Sequence, residues 1–201
     1  MTNNKALSDS LEKIASEVIS CPLCKLSRSR INAVPGQGQL SSKIILIGEA
    51  PGKNEDEQGK PFVGAAGRVL NQALEKADIK KDEVFITNVV KCRPPGNRVP
   101  ENDERSICRQ YLYREISLIE PKIICILGST AYSSILGGKS ITKNRGKIVE
   151  RNGLKYFLTI HPAAAIYNKD LRLVLNNDLL KLSKEIKKID NSRTLLDYRV
   201  D

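Results

Sequence analysis

Two features of this sequence stand out as candidates for chemistry: a single histidine and one loop rich in glycine and carboxylates. Histidine occurs once in 201 residues, so any step that needs an imidazole must use His161. The stretch GEAPGKNEDEQGKPFVGAAG, from Gly48 to Gly67, combines glycines with four carboxylates and one phenylalanine. A loop of this composition directly after an apolar run is typical of a ligand-binding loop, and its residue types decide which ligand it suits.

The loop does not match the common phosphate-binding patterns. A P-loop requires G-x-x-x-x-G-K-[ST], whereas only three residues separate Gly48 from Gly52 and Lys53 is followed by Asn54. The dinucleotide pattern G-x-G-x-x-G is also missing, and a carboxylate directly after the first glycine would repel a phosphate. Oxygen-rich metal loops space their ligands differently. The loop therefore suits a ligand that is neutral or becomes cationic.

Four of the five cysteines form two pairs. Cys21 and Cys24 form a C-x-x-C motif, and fifteen residues separate Cys92 from Cys108. Four thiolates can hold zinc or an iron–sulfur cluster, and one tight pair with one wide pair favours a cluster over a zinc ribbon. Four unlinked thiols are the alternative, since a lone C-x-x-C is common. Cys125 lies inside the apolar run IICIL, which indicates a core position.

A scaffold for these residues is predicted by alternating apolar patterns. Short apolar runs predict strands at 43–47, 83–90, 122–127 and 155–160, and helical patterns occupy 5–20, 66–77, 102–118 and 170–188, with a short helix after 128–130. This alternation predicts an α/β fold, a three-layer αβα arrangement around a four-stranded parallel sheet. Ligands bind beyond the carboxyl ends of such strands, so Gly48, Asn88, Ser129 and His161 should meet in one cleft.

Length, charge and hydropathy describe the whole chain. Its 201 residues suit one domain over 1–201, with a loose tail at about 189–201. The formal net charge of +10 favours a polyanionic partner such as nucleic acid. No apolar run approaches the roughly 20 residues of a membrane span, and the polar N-terminus lacks a signal core. We therefore expect a cytoplasmic protein that does not bind membranes.

Together these motifs resemble the family 4 uracil-DNA glycosylases, the iron–sulfur-containing branch of that superfamily from thermophilic bacteria and archaea. The motifs are GEAPG followed by ED and G-x-PFVG-x-AG, then ITNVVKCRPPGNRVP at 86–100 and HPAAA at 161–165. The resemblance runs from Cys21 to about Asn168. It implies a [4Fe-4S] cluster on Cys21, Cys24, Cys92 and Cys108, and a monofunctional, monomeric, nucleoid-associated prokaryotic enzyme that removes uracil from single- and double-stranded DNA.

The resemblance also implies which residues bind the flipped base. Phe62 would stack on the uracil ring, and the Asn88 amide would pair with O4 and N3–H, a pattern that cytosine inverts. Backbone groups from Gly48 to Ala50 would complete the contacts. Glu55 would exclude the methyl group of thymine.

Two residues are implied in bond cleavage, and both also contact the base. Cleavage develops cationic character on the sugar, which the Glu49 carboxylate would stabilise while it orients water. It develops negative charge on the departing uracil, which His161 would stabilise at O2. The better-known branch of the superfamily has an Asp one position after Glu49, where this chain has Ala50, so the carboxylate role moves to Glu49.

Seven further residues are expected to contact DNA. Five of them are phosphate contacts: Lys91, Arg93, Arg98, Arg145 and Ser129 at a helix start. After His161 the sequence AAAIYNKD resembles the family's wedge loop, in which Ile166 or Tyr167 would fill the gap left by the flipped base. This loop lacks the Leu-Leu-Arg of many relatives, which leaves the choice between these two residues open.

Two other functions fit part of the same sequence. A family 5-like glycosylase would accept a broader range of bases, although its motifs differ around the first loop and at Asn88. A non-catalytic, cluster-bearing DNA-binding or polymerase-associated domain would retain the charge and cysteines, but it would not need Glu49, Asn88 and His161 together. The segment TLLDYRV, 194–200, could dock on a sliding clamp or be a disordered end.

Overall fold

A five-stranded sheet runs through the centre of the molecule. The computed structural model describes the backbone of residues 9–197 and the side chains of residues 9–190. The strands are β1 Ile44–Gly48, β2 Val84–Asn88, β3 Ile123–Leu127, β4 Ile148–Arg151 and β5 Leu154–Thr159. They lie in the order β2-β1-β3-β5-β4. All neighbours pair in parallel except β4 and β5, which are antiparallel.

The prediction of a three-layer α/β fold around four parallel strands is confirmed, and a fifth strand, β4, extends the sheet at its antiparallel edge. β4 was missed because it is a short edge strand with the sequence IVER, so it lacks the continuous apolar run of a buried strand. It joins β5 through Asn152 and Gly153, both of which have positive φ. Asn-Gly between two strands is a strong hairpin signal, so the sequence did contain an indication of this strand.

Helices cover both faces of the sheet, as the three-layer prediction requires. They are α1 Leu11–Ser20, α2 Lys53–Gln58, α3 Ala65–Lys76, α4 Asn102–Ile119, α5 Ser129–Leu136, α6 Ile141–Asn144 and α7 Lys169–Asp197. Helices α1, α4 and α5 pack with alternate strand residues such as Ile45 and Ile47. Helices α3 and α7 pack on the opposite face with Ile44 and Leu46. Successive strand residues thus point into two separate cores.

The last helix is longer than the sequence predicted. A helix at 170–188 followed by a loose tail was expected, whereas α7 continues to Asp197. The looseness of the tail stays a prediction. Asp190 explains part of this extension, because its carboxylate pairs with Lys43 and Lys122, which precede β1 and β3. Residues 198–201 and the side chains of 194–200, the segment predicted to dock on a sliding clamp, lie outside the described residues. Among the described helices, none is long and apolar enough to cross a membrane.

Candidate active site

A cavity of about 390 Å³ lies at the carboxyl ends of the parallel strands. Its wall comes from the β1 loop, the end of β2, the loop before α4, and the turn after β5. It is lined by Glu49, Ala50, Pro51, Gly52, Glu55, Phe62, Ala66, Asn88, Pro94, Asn97, Arg98, His161 and Ala163. Of the four features predicted to meet in one cleft, the Gly48 loop, Asn88 and His161 do so, and Ser129 does not. Ser129 is exposed at the start of α5 and is not part of the wall.

Asn88 provides an unused hydrogen-bond acceptor in this cavity. The residue is 2% exposed, and its Oδ1 is buried without a hydrogen-bond partner among the described groups. Gly48, its neighbour in the β1–β2 register, makes this position accessible. A Cβ at Gly48 would lie 2.4 Å from Asn88 Oδ1 and 2.8 Å from Phe62 Cζ. Residue 48 must therefore be glycine for the Asn88 amide and the Phe62 ring to lie this close to the backbone at the end of β1.

Phe62 forms an aromatic wall of the cavity in a conformation that its own backbone disfavours. Its φ is +53°, in the left-handed region that costs a non-glycine residue on the order of 1 kcal/mol. A Cβ at Gly67 would lie 1.7 Å from the Phe62 carbonyl oxygen, so α3 accommodates this turn only because residue 67 is glycine. The ring lies 5.9 Å from the His161 ring, at 32° to it. The Phe62 ring can thus contact the face of a flat ligand while the His161 ring contacts its edge.

Glu55 holds the loop together. One carboxylate oxygen accepts a hydrogen bond from Gly64 N–H at 2.7 Å, and the other accepts one from Gly52 N–H at 3.1 Å. These bonds connect the start of α2 to the start of α3, on either side of Phe62. Both oxygens are thus engaged by the backbone, and the role of Glu55 in excluding a methyl group stays a prediction.

His161 is held as a neutral imidazole with a defined proton position. Burial at the cavity lowers its pKa to about 4, although the negative charge of Glu55 acts in the opposite direction. Its Nδ1 accepts a hydrogen bond from Ala163 N–H at 3.2 Å. A neutral imidazole that accepts at Nδ1 carries its hydrogen on Nε2. His161 can therefore donate a hydrogen bond from Nε2 to a ligand.

Glu49 follows β1 directly and is half-buried at the cavity wall. Its backbone is fixed by Val90 N–H, which donates to the Glu49 carbonyl oxygen at 3.3 Å. Its carboxylate makes no hydrogen bond or ion pair with the described side chains, in contrast to Glu55. The site thus contains one engaged carboxylate and one available for chemistry.

The loop before α4 supplies a wall that was only partly predicted. Arg98 donates two hydrogen bonds to the buried Glu104, at 2.9 and 2.7 Å. Arg93 donates to Asn97 Oδ1 at 2.7 Å. Both arginines were predicted as phosphate contacts, whereas Pro94 and Asn97 were missed as cavity residues. The position of RPPGNRVP after β2 was the available signal, because the four parallel strands end at the same edge of the sheet.

Comparison with known proteins places this geometry in a family. The model of the uracil DNA glycosylase superfamily matches residues 35–185. A type-4 uracil-DNA glycosylase of Sulfurisphaera tokodaii is 50% identical over 200 residues, which cover 94% of this chain and 90% of that protein. Proteins of the same name from Saccharolobus solfataricus and Thermotoga maritima are 48% and 40% identical. They cover 89% of this chain in both cases, and 87% and 95% of their own lengths.

The chain belongs to the type-4 uracil-DNA glycosylase family. The resemblance proposed from the three motifs is thereby confirmed, and the fold is that of the superfamily. The superfamily match begins at residue 35, so it includes Cys92 and Cys108 and excludes the Cys21–Cys24 pair. The relatives at 50% and 48% identity extend over nearly the whole chain.

One of the DNA contacts predicted for this family member is wrong. Lys91 is 1% exposed, and its Nζ lies 2.7 Å from the Glu115 carboxylate, with Thr87 as a further acceptor. The sequence shows the charge of a lysine but not its burial, which here follows from the position of Lys91 just after β2. A side chain enclosed in this way cannot reach a phosphate.

Three other predicted DNA contacts, Arg145, Ile166 and Tyr167, differ in how far they are exposed and paired. Arg145 donates to both oxygens of the buried Asp178, at 2.8 and 2.6 Å. Ile166 packs against the core beside α3 and α7, whereas Tyr167 is 98% exposed. Of the two wedge candidates, Tyr167 is the more exposed, and Ile166 is partly buried. As contacts with DNA, these residues stay predictions.

The four paired cysteines share one neighbourhood beside α1 and α4. Cys92 and Cys108 are buried, and Cys21 and Cys24 pack against the same core. Negative charge on Cys21 and Cys24 would raise the pKa of the Cys92 thiol, and charge on Cys92 and Cys24 would raise that of Cys108. Burial is the larger cause in both thiols. The four thiols therefore lie within electrostatic reach of one another.

Two N–H groups donate to these sulfurs. Arg30 Nη1 lies 2.9 Å from Cys92 Sγ, and Lys91 N–H lies 3.3 Å from Cys108 Sγ. In residues 9–190, no three or more His, Cys, Asp or Glu side chains converge closely enough to hold a metal ion. Cys125 is fully buried within β3, which confirms its predicted core position.

Proposed function

We propose that this chain removes uracil from DNA by hydrolysing its N-glycosidic bond, which leaves free uracil and an abasic site for base excision repair. The type-4 uracil-DNA glycosylases that it resembles over most of its length support this activity. The observation that carries the proposal is the buried Asn88 Oδ1, which has no partner among the described groups and lines a cavity with Phe62 and His161.

Base recognition follows from the hydrogen-bonding groups of uracil. Asn88 Oδ1 accepts the N3–H of the flipped base, and Asn88 Nδ2 donates to its O4. Cytosine presents an acceptor at N3 and a donor at N4, so both contacts become repulsive. Phe62 stacks on the ring, and the backbone from Gly48 to Ala50 contacts its edge. Each mismatched buried group costs about 1–3 kcal/mol, which is enough for strong discrimination between the two bases.

Glu49 and His161 act on opposite charges as the bond breaks. The C1′–N1 bond cleaves with its electron pair on N1, so the sugar becomes cationic and uracil anionic. The Glu49 carboxylate stabilises the cation and orients a water molecule whose oxygen bonds to C1′. The proton that this water loses passes to the carboxylate and then, through solvent, to the uracil anion, so the products are neutral uracil and an abasic sugar. His161 donates a hydrogen bond from Nε2 to O2 of the departing base. As a neutral imidazole, it stabilises this anion without giving up its proton.

A direct assay tests this function. The purified protein is mixed with an oligonucleotide that contains one uracil, and alkali then cleaves abasic sites. We expect a strand break at the uracil, and we expect Glu49→Gln and His161→Gln to lower the rate by orders of magnitude. No break above a uracil-free control would support the alternative of a non-catalytic DNA-binding domain. Breaks at hypoxanthine or thymine mismatches would support a broader, family 5-like range.

We also propose that Cys21, Cys24, Cys92 and Cys108 hold a [4Fe-4S] cluster. The donor set supports it, because four thiols share one neighbourhood and N–H groups of Arg30 and Lys91 donate to two of the sulfurs. The corners of a cluster accept thiolates that are further apart than those around one zinc ion. When bound, the cluster supplies a structural cross-link between α1, the loop before α4 and α4 itself.

Iron analysis tests the cofactor separately from activity. We expect about four iron atoms per chain and a brown colour in protein purified without oxygen. A colourless protein with one zinc ion per chain would contradict the cluster.

Four further properties complete the proposal. The protein is a monomer that acts on single- and double-stranded DNA in a prokaryotic cytoplasm, in association with the nucleoid. Its net charge of +10 and the prokaryotic sources of its relatives support this setting. The segment 194–200 docks on a sliding clamp, which deletion of that segment and a binding measurement with the clamp would test.

A further inference from the structure

A second depression lies along α4, outside the cavity that contains Glu49, Asn88 and His161. We call it the α4–α5 trough; its volume is about 370 Å³, and it is defined by Asn102, Arg105, Arg109, Tyr113, Ser133 and Ser134. An adjoining depression of about 700 Å³ shares Arg109 and Tyr113 and continues along α4. No carboxylate lines either depression.

Arg105 keeps its positive charge uncompensated in the trough. Its Nη1 donates to Ser134 Oγ at 3.1 Å and to Ser133 Oγ at 3.4 Å, and its Nη2 donates to Asn102 Oδ1. All three acceptors are neutral. Arg98, by contrast, is paired with a buried carboxylate. The hydrogen bonds thus fix the Arg105 guanidinium in place without neutralising it, which suits an anionic ligand.

Arg109 and Tyr113 extend this face of α4. Arg109 is exposed and makes no hydrogen bond or ion pair with the residues that the structure describes. It lies four residues after Arg105, which places the two side chains about 6 Å apart on one helix face. Tyr113 follows after four more residues and is 49% exposed. A row of cations next to an exposed aromatic ring is the combination that binds single-stranded nucleic acid.

The trough begins where the wall of the active-site cavity ends. Arg98 lines that cavity and is bonded to Glu104 in the first turn of α4. Asn102 and Arg105, the first residues of the trough, flank Glu104 in the same turn. A strand that leaves the cavity on this side would therefore pass the first turn of α4, where the trough begins.

From these contacts we infer that the α4–α5 trough binds the phosphate backbone of the uracil-bearing strand, next to the flipped nucleotide. The choice of this strand rests on the proposed function. Arg105 and Arg109 contact neighbouring phosphates, Ser133 and Ser134 support Arg105, and Tyr113 stacks on a base further along. The enzyme thus holds a flanking segment of single strand in addition to the base in its cavity.

Salt dependence of DNA binding tests the inference. Binding of a uracil-free single-stranded 20-mer is measured by fluorescence anisotropy between 50 and 200 mM salt, for wild type, Arg105→Gln, Arg109→Gln and the double variant. Each lost phosphate contact lowers the slope of log K against log salt by about 0.7. Across this range the wild type should therefore lose about sevenfold more affinity than the double variant. Lys184→Gln, an exposed lysine of α7 outside the trough, is the charge-matched control and should keep the wild-type slope.

A second readout separates the trough from the active site. We expect the ratio of kcat/KM for a uracil 20-mer to that for a uracil trinucleotide to fall in the double variant. A wild-type salt slope in the double variant would overturn the inference, as would an equal loss of kcat/KM on the 20-mer and the trinucleotide. If the wild type excises nothing, the proposed function fails, while the binding slopes still decide whether the trough holds DNA.

Discussion

Asn88 is buried at the end of β2 with an amide oxygen that no described group satisfies. A buried polar atom without a partner costs about 1–3 kcal/mol. The folded chain tolerates this cost in a cavity whose other walls are an aromatic ring and a neutral imidazole. These features together suit a flat base with an N–H group, so recognition of the base depends on the hydrogen-bonding pattern of one amide side chain.

The protonation state of His161 leads to a prediction on pH. Its pKa is lowered to about 4 from an ordinary value of 6.5. The neutral donor is therefore present throughout pH 5–8, so kcat/KM measured across pH should show no inflection near 6.5 from this group and should fall as pH decreases towards 4. An inflection near 6.5 that disappears in His161→Gln would contradict this assignment.

The same shift affects stability. Between pH 4 and 6.5 the unfolded chain binds more protons at His161 than the folded chain does, so stability rises with pH in this window. Protonation of His161 in the unfolded chain lowers the free energy of unfolding by about 3 kcal/mol when the pH falls to 4, and this loss is absent well above pH 6.5. Urea unfolding at several pH values should show a smaller rise for His161→Gln than for wild type, and equal slopes would exclude burial of a neutral imidazole.

Gly48 gives a second residue-scale prediction. In Gly48→Ala the added Cβ would lie 2.4 Å from Asn88 Oδ1, so the amide or Phe62 must move. We expect a loss of about 1–3 kcal/mol in stability from overpacking, and at least a hundredfold loss of excision. Gly137→Ala is the control, because its φ of +65° makes the change strained while nothing lies within 4 Å of the new atom. It should lose stability but not excision; normal excision by Gly48→Ala would contradict the prediction.

At the scale of elements, the carboxyl ends of four parallel strands bring distant residues together. Apolar runs such as IILI and IICIL predicted this sheet, and the rule that ligands bind at strand ends predicted that Glu49, Asn88 and His161 would meet. The sequence did not reveal which charges are buried, so Lys91 was assigned to the surface. Short or polar elements such as α2 and β4 lack a strong period, and the extension of α7 depends on ion pairs of Asp190 with residues far away in sequence.

The Lys91–Glu115 pair shows how one such contact joins elements. It links the segment after β2 to α4, and Glu115 also accepts hydrogen bonds from Thr87 and Gly36 N–H. Lys91→Met leaves a buried carboxylate without its cation and should lower the free energy of unfolding by about 3–5 kcal/mol. Glu115→Gln in the same chain should recover more than half of this loss. A loss below 1 kcal/mol in the single variant, measured by urea unfolding, would show that the pair is not important for stability.

At the scale of the whole molecule, the trough arginines Arg105 and Arg109 and the proposed cluster lie on the same side of the sheet. The helices α1 and α4 carry the cysteine neighbourhood, and α4 also carries the trough. The prediction of one domain over 1–201 stays a prediction, since residues 1–8 and 198–201 lie outside the described part. Cross-linking α1 to α4 through a cluster would stabilise the surface on which DNA is held.

Iron removal tests this cross-link. We expect chelation under reducing conditions to lower Tm by about 4–8 °C, corresponding to roughly 2 kcal/mol for a chain of this size. Cys108→Ser should reproduce the loss of both iron and Tm. Cys125→Ala, a buried cysteine of β3, should lower Tm through its cavity but keep the iron content. An unchanged Tm after complete iron removal would contradict a structural role.

The most direct measurement of the central claim is kcat/KM of Asn88→Ala on single-stranded DNA with one uracil. Because two hydrogen bonds to the base are lost, we predict a decrease of at least about a hundredfold. Tm should be unchanged or higher, since the variant removes a buried acceptor without a partner among the described groups. Near-normal excision, or a loss of excision accompanied by an equally severe loss of stability, would contradict the account of Asn88 as the residue that reads uracil.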